Sequence, residues 1–200
     1  MSMNTTLFST AICAGIGALL WMASSFIGAD PLALAITGLI ACAYALGILE
    51  LLQFRRATDS LVNAVDALDS HVPAEANSLT SWLGRLDTSL RNPVRLRISG
   101  ERVGLPAPAF TPYLLGLLIM LGLLGTFVGM VETLGGAVTA LEGSTELEAM
   151  RQGLAAPIRG LGLAFGTSVA GVATSAMLGL AASLCRRERM LATRKLDTAC

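Results

Sequence analysis

The stretch from Pro112 to Val131 reads PYLLGLLIMLGLLGTFVGMV and carries no charged residue. A helix rises 1.5 Å per residue, so about twenty residues cross the ~30 Å hydrocarbon core of a bilayer. A helix in the core of a soluble protein rarely runs this far without a charge. The stretch therefore predicts a transmembrane helix.

Three other uncharged apolar runs have similar length, at Thr5–Ala29, Pro31–Leu49 and Gly160–Cys185. Apolar residues make up 54% of the chain, and its mean hydropathy is +0.67. The first run lacks the basic residues that precede the apolar part of a signal peptide, so we interpret it as a retained helix. The sequence predicts an all-α integral membrane protein with four transmembrane helices.

Basic residues are concentrated in two of the segments between and after these runs. Seven arginines lie from Arg55 to Arg102, and five basic residues follow Cys185. The positive-inside rule places both segments, and hence both termini, in the cytoplasm. The predicted organisation is a transmembrane hairpin (1–54), a cytoplasmic helical segment (55–111), a core of two helices (112–185) and a basic cytoplasmic tail (186–200). The tail shows no helix stop signal, so we expect the natural chain to continue past Cys200.

Apolar residues recur at helical spacing in the cytoplasmic segment and predict two amphipathic helices, the first extending the second transmembrane helix. The first set is Leu61, Val65, Leu68 and Val72, and the second is Leu79, Trp82, Leu83, Leu86 and Leu90. Four prolines, Pro93, Pro106, Pro108 and Pro112, are expected to break the chain before it re-enters the membrane. Arg95, Arg97 and Arg102 either contact anionic headgroups or lie in water. Glu50 is expected to extend into the cytoplasm.

Small residues recur at close-packing spacing on the third and fourth helices. Gly125 and Gly129 form a small-xxx-small pair, and Gly160, Ala164 and Ser168 follow one another at intervals of four. Small residues at this spacing let helix backbones approach closely in lipid. The predicted helix-packing glycines are Gly122, Gly125, Gly129, Gly160, Gly171 and Gly179.

Hydroxyl residues on these two helices are matched in depth. Thr126 and Ser168 each lie about nine residues, roughly 13 Å, from the predicted outer end of their helix, near the bilayer midplane. We expect them to line an ion path, with Thr167 beside Ser168. Thr174 and Ser175 extend the polar face, although hydroxyls in membrane helices also bond to carbonyls of their own helix.

Neither helix carries an Asp, Glu, Lys or His near the midplane. A group that carries protons across a bilayer has to be titratable, so a partner protein would have to supply it. The cysteines and His71 show no metal-ligand spacing, and no nucleophile–base pair is visible. We therefore predict no metal site, no cofactor and no enzymatic activity.

Two motifs in this region resemble a known family. GLLGTFVG at residues 122–129 and GLAAPIRGLGLAFGTSVAG at residues 153–171 resemble the MotA/TolQ/ExbB proton-channel family, over about residues 112–185. The resemblance implies a homopentamer in the bacterial inner membrane. It also implies a dimer of single-span partners, similar to MotB, TolR or ExbD, that carries the membrane aspartate. Thr126 matches one polar position of the family. Ser168, with Thr167 beside it, matches a second polar position, at which the family often has threonine.

The expected function is that of the ion-conducting subunit of a motor or stator driven by the proton-motive force. The four-span layout resembles MotA more than the three-span relatives, but a TolQ/ExbB-type energiser and a motor like that of the Zorya anti-phage system stay open. Serine at position 168 leaves the choice between proton and sodium open. Outside this class, the alternatives are a structural membrane scaffold for a cytoplasmic partner and a small-solute transporter.

Overall fold

A computed structural model describes residues 2–26, 31–70, 82–84, 86–99, 101, 103–142 and 147–199. Within these ranges, side-chain surroundings are described except at 2–4, 26, 67–70, 137, 139–142, 147–160, 163 and 199. The predictions made for Val72, Leu79, Arg102 and Cys200 lie outside the described residues. So do the predicted side-chain contacts of Leu68 and the packing around Gly160.

All regular structure in the described residues is helical. The helices are α1 (Ser2–Phe26), α2 (Pro31–Ser70), α3 (Thr88–Ile98), α4 (Thr111–Glu142) and α5 (Leu147–Ala199). Four of them, α1, α2, α4 and α5, are long and apolar enough to cross a membrane. The prediction of an all-α chain with four long apolar helices is confirmed.

The four long helices alternate in direction. Arg55 of α2 donates to Thr5 Oγ1 at the start of α1 at 2.7 Å, and it pairs with Glu188 of α5 at 3.9 Å. Glu50 of α2 accepts from the backbone N–H of Phe110, just before α4, at 2.8 Å. The starts of α1 and α4 therefore lie at the same end as these parts of α2 and α5. We call this end, marked by Glu50, Arg55 and Glu188, the charged end.

Helix α5 is the central element of the main hydrophobic core. Both α1 and α2 pack on α5 far more extensively than on each other. Leu178 of α5 lies against Gly47 of α2, where a Cβ would come within 2.5 Å of the leucine side chain. Each of the first two helices therefore has α5, rather than the other, as its main packing partner. Gly47 leaves the space on α2 into which the Leu178 side chain of α5 packs.

Helix α4 is the most exposed of the four spans. In its most apolar stretch 17% of the residues are buried, against 44% for α5. Its outward residues are large and apolar, and they include Met120, Leu124 and Phe127. The third span thus packs against protein on one side, as its small residues predicted, and leaves most of its remaining surface exposed.

A second cluster of apolar side chains lies beyond the charged end. The expected extension of the second helix is present, because α2 continues without a break to Ser70. Trp82 packs into the cluster, and its Nε1–H donates to the carbonyl of Ala64 at 2.7 Å. The buried members of this second cluster are Ala57, Leu61, Ala64, Val65, Trp82, Leu86, Leu90, Val94, Ala192 and Leu196. The cluster joins α2, α3 and the last turns of α5.

Helix α3 begins later than the apolar spacing predicted. Asp87 is its N-cap and accepts from the backbone N–H of Ser89 at 3.0 Å. That bond and one from the Ser89 hydroxyl hold the pKa of the Asp87 carboxyl below its usual value. Leu86 therefore lies in the turn before α3, although it is buried with Leu90 as expected. An N-cap residue has a non-helical backbone, which ends the predicted helix at this point.

Pro93 lies inside α3 rather than breaking the chain. Proline at this position removes one helical hydrogen-bond donor. Two features offset that loss. Leu90 and Val94 on either side are fully buried, and Arg91 donates to the carbonyls of Leu86 and Gly84 at 3.1 and 3.0 Å.

The end of α3 is held against the end of α5. Arg97 donates from Nε and Nη2 to the two carboxylate oxygens of Asp197, at 2.7 and 2.9 Å, and from Nη1 to the Val103 carbonyl at 3.1 Å. Such a bidentate pair is stronger than a single contact, although exposure to water weakens it. The structure adds a partner that the sequence did not predict for Arg97, an ion pair with Asp197 of the same chain.

Candidate functional site

The contact between α4 and α5 is built on glycine. A Cβ on Gly122 would lie 3.2 Å from the Gly171 Cα, and one on Gly129 would lie 2.6 Å from the Ala164 Cβ. Real Cβ atoms almost never approach other atoms within 3.0 Å, so the backbones lie closer than any larger residue allows. We call this contact the glycine seam, defined by Gly122, Gly125 and Gly129 on α4 and Gly171 on α5. All four were among the predicted packing glycines.

Thr167 fills the middle of the glycine seam. It is 2% exposed, and its side chain lies directly against Gly125, where a Cβ would come within 2.6 Å of the Thr167 Cβ. Its hydroxyl donates to the Ala164 carbonyl of its own helix at 2.9 Å. Thr167 is therefore a packing residue of this contact. Its hydroxyl oxygen faces Gly125 of α4 while the proton bonds to its own helix, and a place in an ion path stays a prediction.

Thr126 and Ser168 each adjoin a member of the facing pair Gly125 and Thr167, so their depths differ by only about 3 Å. Both are half-buried. The Thr126 hydroxyl donates to the Leu123 carbonyl at 2.6 Å. The two hydroxyls therefore lie at similar depth, while a role in ion movement stays a prediction. On α5, Ser168 lies next to an exposed apolar face that includes Phe165 and Val172.

The two other hydroxyls on α5 differ in their partners. Thr174 is fully buried and bonds to the Ala170 carbonyl of its own helix at 2.7 Å. Ser175 crosses to α4, where it donates to the Leu115 carbonyl at 3.0 Å. The alternative of bonding within the helix therefore holds for Thr174, whereas Ser175 links the two helices.

The remaining predicted glycine, Gly179, is less tightly packed. A Cβ there would lie 3.6 Å from the nearest Leu115 methyl, an ordinary contact. The helices therefore diverge slightly toward the charged end. The tight part of the seam extends from Gly171 to the level of Gly129.

Two ionisable residues at the charged end have structural roles that the sequence analysis missed. Glu50 accepts from the backbone N–H of Phe110 and from the hydroxyl of Thr111, at 2.8 and 2.7 Å, and so caps α4. An anion at a helix N-terminus satisfies free N–H groups and the helix dipole. Arg189 is 6% exposed and donates to partners on α2 and on the linker that precedes α4.

Neither role had a local sequence signal. Glu50 lies sixty residues before the helix that it caps, and Arg189 lies in a run of basic residues that otherwise resembles a topology signal. Gly15 and Gly47, which make room for Tyr44 and Leu178, did have such a signal. Each follows a buried alanine, Ala11 or Ala43, by four residues, a small-xxx-small spacing that was not singled out.

The part of the chain that the structure describes contains no group of three or more His, Cys, Asp or Glu side chains that could hold a metal ion. Between Pro112 and Val131 on α4, and between Leu161 and Cys185 on α5, no residue is charged. The arrangement offers hydroxyls and apolar surface at the membrane midplane, with charges confined to the ends. It can line a path for an ion, but it holds no titratable group at that depth.

Comparisons with protein-family models, with curated proteins and with solved structures find no match to this chain. The resemblance to the MotA/TolQ/ExbB family therefore stays a prediction based on the two motifs.

Proposed function

We propose that this chain is the ion-conducting subunit of a motor or stator complex driven by the proton-motive force in the bacterial inner membrane. The proposed assembly is a homopentamer around a dimer of single-span partners that each carry a membrane aspartate. The charged end faces the cytoplasm, because Arg55, Arg56, Arg186 and Arg187 cluster there. Both termini are then cytoplasmic.

The observation that carries the proposal is the hydroxyl layer beside the glycine seam. Thr126 and Ser168 lie at similar depth on two helices whose close contact fixes their separation. The surrounding layer has no charge of its own. Such a layer suits the passage of an ion toward a carboxylate on another chain, because hydroxyls can coordinate an ion or relay a proton without trapping it as a fixed charge would.

The exposed surface of α4 also supports the proposal. Met120, Leu124, Phe127 and Val131 form a large apolar face that the subunit leaves uncovered. In the proposed ring, a neighbouring subunit or the partner helix covers part of this face. A scaffold would need the packing glycines equally, but it would not need the half-buried hydroxyls.

In the proposed cycle, an ion enters from outside and neutralises the partner aspartate beside Thr126 and Ser168. Neutralisation changes how the partner helix fits the ring, and each such step turns the ring around the partner. One charge that crosses 100 mV supplies about 2.3 kcal/mol, and each pH unit adds about 1.4 kcal/mol. These energies exceed thermal energy and are sufficient to bias such steps.

The test is ion flux through the complex reconstituted in lipid vesicles, with Thr126→Ala and Ser168→Ala compared with the native chain. We expect each change to reduce flux about tenfold, equivalent to about 1.4 kcal/mol in the barrier. Thr10→Ala is the matched control, because Thr10 is also a hydroxyl in a span that bonds to a carbonyl three residues earlier. The control should conduct like the native complex.

Assembly is checked for every variant by its size in detergent. Unchanged flux in the assembled Thr126→Ala, Ser168→Ala double variant would remove the proposed ion path and favour the scaffold. A native complex that moves a solute instead of an ion would favour the transporter.

A further inference from the structure

One stripe of α2 at the charged end contacts both α4 and α5. Glu50, Phe54 and Thr58 follow one another at intervals of four, so they lie on one face of the helix. Glu50 binds the start of α4, and the other two bind Arg189 of α5. The two helices of the glycine seam are thus attached to α2 within about two turns of each other.

Arg189 makes the more extensive of the two attachments. Its Nε donates to Thr58 Oγ1 at 2.9 Å, its Nη2 to the Phe54 carbonyl at 3.1 Å and its Nη1 to the Pro106 carbonyl at 3.1 Å. The guanidinium also stacks on the Phe54 ring, 4.0 Å from its centroid. A buried guanidinium is costly unless its donors are satisfied, and only arginine offers this planar fork.

The linker from Pro106 to Phe110 is held at both ends by these contacts. Arg189 binds the Pro106 carbonyl, and Glu50 binds the Phe110 N–H. Between the two points the linker borders an open cleft of about 500 Å³. The two end contacts therefore hold the linker, and with it the start of α4, against α2 and α5.

Two helices connect the charged end directly to the second cluster. Both α2 and α5 run on without a break into the second cluster, where Leu61 and Leu196 are buried together. Neither α2 nor α5 therefore has a flexible link between the charged end and the second cluster that could absorb a displacement.

We propose that Arg189 and Glu50 are positioning residues that clamp the cytoplasmic ends of α4 and α5 to α2, so that movement of the seam helices is transmitted to the second cluster. The clamp is a property of the chain itself, whereas its use in transmission rests on the proposed function. Neither residue contacts the ion. Both act by holding the helices that do.

The test uses the full chain purified in detergent, in a Trp21→Phe background that leaves Trp82 as the sole tryptophan. Thermal unfolding is followed by Trp82 fluorescence, which reports on the second cluster, and by far-UV circular dichroism, which reports mainly on the long helices. In the Trp21→Phe chain, which is the parent of the variants below, we expect the two transitions to occur at the same temperature. In Arg189→Met the Trp82 transition should fall by about 5 °C or more and separate from the helical transition.

Two milder variants cover the case in which Arg189→Met fails to fold. Arg189→Lys keeps the charge but loses the fork, and Thr58→Val removes one acceptor, so each should separate the transitions by a smaller amount. Arg187→Met is the matched control, because Arg187 is exposed on the same helix. It should unfold like the parent.

Coincident transitions in Arg189→Lys and Thr58→Val, at the parent temperature, would overturn the clamp. Ion flux through the native complex is measured separately. Its absence would overturn the proposed function, and with it the transmission role, while the unfolding data would still decide whether the clamp exists.

Discussion

At the scale of single residues, three hydroxyls on α5 show that burial against the neighbouring helix does not by itself give a hydrogen bond across the interface. Thr167 and Thr174 bond to carbonyls of α5 itself, although both are buried. Ser175 reaches the Leu115 carbonyl on α4 instead. A hydroxyl bonds across the interface only where an acceptor of the other helix lies within reach, and the sequence alone does not give that distance.

The Ser175 bond predicts a measurable contribution to helix association. Ser175→Ala should destabilise the chain by about 0.5–1.5 kcal/mol, in the range found for hydrogen bonds between membrane helices. The measurement is reversible unfolding in mixed micelles. Ser183→Ala is the control, because Ser183 is exposed and bonds only to the Leu180 carbonyl of its own helix. Equal stability of the two variants would show that the Ser175 bond contributes nothing.

At the scale of helices, the glycine seam was largely predictable. Gly125 and Gly129 signal close packing by spacing alone, and the similar depth of the hydroxyls follows from counting residues from the predicted outer end of each antiparallel helix. On α4 the glycines, and not the apolar periodicity, mark the face that the seam uses. Nearly all of its faces are apolar, so periodicity does not distinguish the face toward α5 from the face toward lipid.

The seam predicts that added volume will be tolerated unequally along α4. Gly125→Ala should cost about 1–3 kcal/mol, because its Cβ would meet Thr167 and force the helices apart. Gly116→Ala is the control on the same helix, because nothing lies within 4 Å of a Cβ there. The comparison is made by thermal stability in detergent. A Gly125→Ala chain as stable as the Gly116→Ala chain would contradict the seam.

The boundaries of helices outside the membrane were predicted less accurately from the sequence. The apolar residues of the second cluster were identified by their spacing, and Trp82, Leu86 and Leu90 are indeed buried together. They do not belong to one helix, because Asp87 takes the N-cap position between them. Apolar spacing indicated which side chains are buried, whereas local capping chemistry decided where the helix starts.

At the scale of the whole molecule, the subunit buries its surfaces unevenly. The long helix α5 is surrounded by three others, whereas α4 covers only one side of it and exposes most of its own surface. The order of charges along the chain predicted the number of spans, but not which span is central. That depends on contacts among residues far apart in sequence, such as Gly47 with Leu178.

The exposed face of α4 predicts association of several copies. In a mild detergent, native mass spectrometry should show five copies of the 20.7 kDa chain, with two copies of the partner when it is co-expressed. Phe127→Asp, which puts a charge on the exposed face of α4, should shift the population to single chains. Tyr113→Asp, on an exposed residue at the start of α4, serves as the control. A native chain that is monomeric under these conditions would contradict the ring.

The uncharged parts of the two seam helices are unequal in length. On α4 the uncharged part runs from Pro112 to Val131, and on α5 it runs from Gly160 to Cys185. At 1.5 Å per residue these parts measure about 30 and 39 Å, so α4 matches an average bilayer and α5 exceeds it. A helix with such excess tilts or thickens the lipid around it. We therefore expect the stability of the chain to depend on the acyl-chain length of the surrounding lipid.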